Sequence, residues 1–121
     1  MFWNRKKRIF PTRTIEQLKN SVNILFVDNE VFNLTTELKE KEGWRRLSVV
    51  PDISSLSQKE LIDAHILCID IQGVGKELGF NDEGLGLIVA IHEKYPEKKI
   101  IMYSAEAQGQ IDAFHPAEGI V

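Results

Sequence analysis

The chain has a single cysteine, Cys68, so no disulfide can close within it. That cysteine lies inside an apolar run, and a buried thiol suits a reducing compartment, so a cytoplasmic location is expected. No apolar stretch reaches the roughly 18 residues that a membrane span requires, and the basic start lacks the apolar core of a secretory signal. Repeats and low-complexity tracts are absent. Acidic residues are missing from positions 1–13, which carry Arg5, Lys6, Lys7, Arg8 and Arg13; the rest of the chain holds ten basic against eighteen acidic side chains, a net of −8. Such a surface is poorly suited to nucleic acid. The phosphate-loop pattern fails around "GVGKEL" (73–78), because it needs Gly at 70 and Ser or Thr at 77 and finds Asp70 and Glu77. The dinucleotide fingerprint fails as well, with Leu78 where its third glycine belongs. His65, His92 and His115 have no paired ligand spacing, which leaves no zinc site. Ser104 lacks the surroundings of a hydrolase nucleophile.

What is present fits one globular domain: 121 residues, 43% hydrophobic and 27% charged, enough to bury a core. "NILFVD" (23–28), "HILCID" (65–70) and "KIIMYS" (99–104) are short, nearly continuous apolar runs, the pattern of strands covered on both faces. "RRLSVV" (45–50) is a weaker fourth. Between them "EVFNLTTELKEKEG" sets Val31, Leu34 and Leu38 at helical spacing, with Asn29 as a cap and Gly43 as a stop. "SSLSQKELI" predicts a short helix with Leu56, Leu61 and Ile62 inward. "GLGLIVAIHEKYP" puts Ile88, Ile91 and Tyr95 on one face and ends at Pro96. His65 reads as a strand-start residue and His92 as a helix-surface one. Residues 1–21 form a basic leader that ends in a short helix, "TIEQLKN", capped by Thr14; residues 22–121 form the domain. Residues 1–13 suit either a frayed leader or a contact with an anionic membrane surface. The order β-α-β-α-β-α-β, followed by a weakly specified helical stretch at "AQGQIDAFHPAEG", predicts a mainly parallel sheet with helices on both faces.

Each strong strand ends in an oxygen-bearing side chain: Asp28, Asp70 and Ser104. The carboxyl ends of strands in an open parallel sheet share one rim, and ligands bind there where strand order reverses. With the order 2-1-3-4, the first and third strands are neighbours about 4.8 Å apart. Asp28 and Asp70 then meet, with Asn29 and Glu30 on the following turn. Two carboxylates that close favour a hard, oxygen-seeking divalent cation, Mg²⁺ first among them. Strand-end aspartates also simply solvate loops, but three such residues on successive buried strands argue for a site.

This pattern resembles the receiver domains of two-component response regulators. "ILFVDNE" is similar to their first strand and acidic cluster, "ILCIDI" to the strand bearing the phosphoacceptor aspartate, and "IIMYSAE" to the strand ending in Ser or Thr followed by Ala. The resemblance covers roughly residues 22–121 and implies a flavodoxin-like α/β three-layer sandwich. It further implies that Asp70 accepts a phosphoryl group from a histidine kinase, a phosphotransfer protein or a small phosphodonor. Asp28, Asp70 and their neighbours Asn29 and Glu30 would hold Mg²⁺, Ser104 would bond the incoming phosphoryl oxygen, and Gln72 and Glu106 would tune its loss. The chemistry agrees, since phosphoryl transfer is mainly positioning and charge neutralisation. Movement of Ser104 toward the phosphoryl group would then repack the surface beyond the fourth strand and switch a protein-interaction face.

The departures from the family are as informative. Asn29 stands where many receivers have a second metal-binding aspartate. After Asp70, Gly73 and Val74 replace the usual Met-Pro turn, and the long loop "QGVGKELGFNDEG" brings Lys76, Glu77, Asp82 and Glu83 as a polar flap. By family spacing, the phosphoryl-sensing lysine would fall some five residues beyond Val121, together with a fifth strand and last helix. The expectation is a receiver that is incomplete at its C-terminus or completed by a partner, with an unpaired fourth-strand edge open to dimerisation or strand exchange. These departures also support an alternative, a pseudo-receiver that serves as an unphosphorylated interaction module. A flavodoxin-like nucleotide or flavin binder is the weakest reading, because the loops lack a phosphate cradle.

Overall fold

The computed structural model describes residues 13–30, 33–104 and a short strand at 114–116. The elements are α1 (Ile15–Ser21), β1 (Ile24–Val27), α2 (Asn33–Thr36, continuing as a π-helical stretch Glu37–Lys41), β2 (Leu47–Val50), α3 (Lys59–Asp63), β3 (Ile66–Asp70), α4 (Gly84–Lys94), β4 (Lys99–Tyr103) and β5 (Phe114–Pro116). Strands β2-β1-β3-β4 run parallel in that order. The alternating pattern predicts this parallel sheet with helices on both faces, and its order is that of a doubly wound, flavodoxin-like fold. Strand order reverses between β1 and β3, so right-handed crossovers put the helical segment after β1 on one face and both α3 and α4 on the other.

Alternation along the strands divides the interior into two cores. Leu25, Val27, Leu67, Ile69 and Ile100 point one way and bury against Leu61 of α3 and Leu87, Ile88 and Ile91 of α4. Phe26, Leu47, Cys68 and Tyr103 point the other way, with Leu38 from the π-helical stretch packed against them. Each fully buried aliphatic side chain contributes roughly 1.5–3 kcal/mol, and the central strands β1 and β3 carry such residues on both faces. That is why their sequences read as unbroken apolar runs.

The helix ends follow local chemistry. Thr14 caps α1 in a capping box, its hydroxyl accepting from the Gln17 N–H while the Gln17 side chain accepts from the Thr14 N–H. The helical segment after β1 widens to i→i+5 bonding, with the Glu42 N–H donating to the Glu37 carbonyl, before Gly43 turns the chain at φ +84°. Lys98 is buried; its ammonium donates to the carbonyls of Ile62 (2.8 Å) and Ala64 (2.6 Å) at the end of α3 and lies 5.0 Å from the centre of the Tyr95 ring.

Five expectations need correction. The outer edge of β4 is not open: β5 pairs with it antiparallel, Tyr103 opposite Phe114 and Ile101 opposite Pro116. A fifth strand therefore lies within the chain and runs antiparallel, in a stretch expected to be helical, because an edge of unpaired N–H and C=O groups recruits an extended segment. Ile62 points outward and is 49% exposed; α3 is only five residues long, and its one buried residue is Leu61. His92 is half-buried, not simply a surface residue, and among the described residues its Nδ1 has no hydrogen-bond partner. The start of the helix that Asn29 was expected to cap lies outside the described residues. Among the described residues, no helix is long and apolar enough to cross a membrane.

Candidate functional site

Asp28 follows directly on β1 and Asp70 ends β3, and the parallel register that pairs Val27 with Ile69 brings the two carboxylates to one rim. Both are buried, Asp28 at 4% and Asp70 at 3% exposure. Each carboxylate accepts the N–H two residues ahead, Asp28 Oδ1 from Glu30 (2.9 Å) and Asp70 Oδ1 from Gln72 (3.0 Å). These turns hold the side chains over the strand ends. Burial pushes the Asp70 carboxyl up to about 6. The Gln72 N–H opposes that push, and the nearby Asp28 and Glu30 charges add to it.

Tyr103, the last residue of β4 and the register partner of Asp70, completes the pocket. Its hydroxyl donates to Asp28 Oδ2 at 2.6 Å, and its ring meets Phe26 edge-on, centroids 6.2 Å apart. Burial and the Asp28 carboxylate hold that hydroxyl protonated, well above the usual phenol range. Ser104, one residue on, is half-buried, and its hydroxyl lies 3.4 Å from Gln72 Oε1. Cys68 sits deeper in the same strand as Asp70; burial pushes its thiol up to about 12, which leaves it inert.

The loop after β3 folds back over the rim and is fastened by carboxylates. Asp52 accepts from the N–H groups of Ile53 (2.8 Å), Gly75 (2.7 Å) and Glu77 (3.1 Å). Glu83 Oε1 accepts from the Gly73 N–H, and Glu83 itself has φ +55°, a strained value for a residue with a side chain. The Asn29 amide reaches across to this loop: a Cβ at Gly73 would lie 2.6 Å from Asn29 Nδ2. Gly84 opens α4 against β3 so tightly that a Cβ there would run into the Asp70 carbonyl oxygen. Val74, expected only as half of the turn that replaces Met-Pro, is fully buried and anchors the loop in the core.

Asp28, Asp70, Gln72 and Ser104 thus meet at one rim, Glu30 acts on Asp70 through its charge, and Asn29 lies against the loop. Glu106 lies outside the described residues. A hard divalent cation would find Asp28 and Asp70 as its anionic donors, and beside the dominant effect of burial it would offset the smaller push that the Asp28 and Glu30 charges exert on Asp70. Among the described residues, no three His, Cys, Asp or Glu side chains form a metal-holding group, so the remaining oxygens would come from backbone carbonyls and water. Two hollows, of about 300 and 430 Å³, open beside Arg46 and Lys59 and beside His65 and Lys98, away from these carboxylates. Neither Tyr103 nor Asp52 is among the site residues expected from the sequence. Tyr103 was detectable as a polar ring one residue before Ser104, on the strand face that also carries Ile101. Asp52 carried no signal, because two of its three partners are backbone groups more than twenty residues away.

No family model, curated protein or solved structure matches this chain.

Proposed function

We propose that this chain is a receiver-type signalling domain that accepts a phosphoryl group on Asp70. The observation that carries the reading is the meeting of Asp28 and Asp70 at the strand-order reversal, with Ser104 and Gln72 beside them. In the reaction, an Asp70 carboxylate oxygen forms a bond to phosphorus as the donor's own bond to phosphorus breaks, and the leaving group keeps the electron pair. Asp28 orients the pocket, and the Ser104 hydroxyl is placed to donate to a phosphoryl oxygen. Mg²⁺, held by Asp28 and Asp70, would supply charge neutralisation. Because Asp70 is 3% exposed, access requires the groups around it to part. The partner in this reading is a histidine kinase or a phosphotransfer protein.

A second reading, a pseudo-receiver that binds partners without phosphorylation, draws on the engagement of Asp28 by Tyr103 and on the burial of Asp70. Incubation with acetyl phosphate or beryllofluoride and Mg²⁺, followed by intact mass and spectroscopy, separates the two. The first reading expects an adduct in the native chain that is absent from Asp70→Asn. No adduct under these conditions would favour the second.

A further inference from the structure

We infer that the Tyr103 hydroxyl is a built-in occupant of the acidic pocket, a positioning group that competes with a divalent cation for Asp28 and so sets how tightly the pocket takes one. The inference rests on the proposed receiver reading of this rim, and it concerns a residue for which that reading has no role.

The geometry has three parts. First, both oxygens of Asp28 already carry a donor, the Glu30 N–H on Oδ1 and the Tyr103 hydroxyl on Oδ2. A cation arriving at Asp28 must share an oxygen with one of these or displace it. The Glu30 N–H belongs to the turn itself, so the phenol is the donor that can yield. Second, Tyr103 is held where it is. Its carbonyl accepts from the Ile71 N–H at 2.9 Å, its neighbour across the sheet is Asp70, and its ring is wedged among Phe26, Leu47 and Cys68. Third, the described residues of that cluster are apolar, and burying a hydroxyl among them without a partner is costly. A phenylalanine would fill the same space. The hydroxyl is satisfied by Asp28, and it draws charge from the oxygen that would otherwise face a cation.

The test uses the full chain with no phosphodonor. Binding of Mg²⁺, and of Mn²⁺ as a second probe, is measured by calorimetry for the native chain, Tyr103→Phe, and Tyr103→Phe combined with Asp28→Asn. The ring and its contact with Phe26 survive Tyr103→Phe, so the core is retained. The expected result is that Tyr103→Phe binds either cation about tenfold more tightly than the native chain, as loss of a hydrogen bond to a charged group implies, and that Asp28→Asn abolishes the gain. A purely structural role for Tyr103 would lower the melting temperature without tightening binding. Equal or weaker binding by Tyr103→Phe overturns the inference and leaves the receiver reading standing. Binding by the variant alone supports the inference and counts against cation-assisted phosphorylation of the native chain. Absence of binding in both overturns the inference and removes the cation from the pocket. Should Tyr103→Phe fold poorly, the native chain supplies the answer: cation binding should perturb the near-ultraviolet tyrosine band as the phenol loses Asp28, and binding with an unchanged band overturns the inference.

Discussion

Asp70 is a carboxylate that the folded chain holds in an unfavourable place. Burial raises its pKa from 3.8 to about 6, so the folded state binds that proton more tightly than the unfolded state does. The linkage has a definite sign: the penalty is absent below about pH 4, grows as pH rises toward 6, and is complete above that. Asp70→Asn should therefore stabilise the chain at about pH 8 by roughly 1–2 kcal/mol in denaturant unfolding, with the gain shrinking toward pH 4.5. A gain independent of pH would place the strain elsewhere. Asp28 differs in kind, since both its oxygens have donors. Replacing it with alanine would remove the carboxylate that accepts from the buried Tyr103 hydroxyl.

At the scale of elements, the loop between β3 and α4 is a fastened segment. Three N–H groups converge on the Asp52 carboxylate from the Ile53 turn and from the loop. Asp52→Ala strips all three of their acceptor and should cost about 2–3 kcal/mol. It should also raise amide exchange at Gly75 and Glu77 while leaving β1 and β3 protected, a pattern that native-state hydrogen exchange can read. Much of the element order was legible beforehand. The apolar runs at 23–28, 65–70 and 99–104 are strands because strands sandwiched between helices need no polar face, and Thr14 and Gln17 make the capping box their spacing allows. The extended segment at 114–116 was not legible. A three-residue strand is chosen by the edge it pairs with, and "AQGQIDAFHPAEG" carries no alternation of its own. The outward turn of Ile62 was equally hidden, since five residues give too little helix to define a face.

For the molecule as a whole, two half-cores share one sheet. Leu67 is fully buried among the helices on one face, while its neighbour Cys68 is buried on the other. Leu67→Ala should cost about 2–5 kcal/mol in equilibrium unfolding, and a two-state transition by both near- and far-ultraviolet dichroism would show that the two faces melt together. The candidate site was legible to the extent that it rests on topology: once the order is 2-1-3-4, Asp28 and Asp70 must meet. It was hidden wherever it rests on side-chain aim, as with Tyr103. The Lys98 ammonium, described above as closing the end of α3 beneath the Tyr95 ring, has a mechanical consequence. It rivets α3 to the far end of α4, at the foot of the sheet and away from the carboxylates. A disturbance at the top of α4 would therefore tilt the two helices as a single plate about that rivet, moving the face they share and not the loop alone.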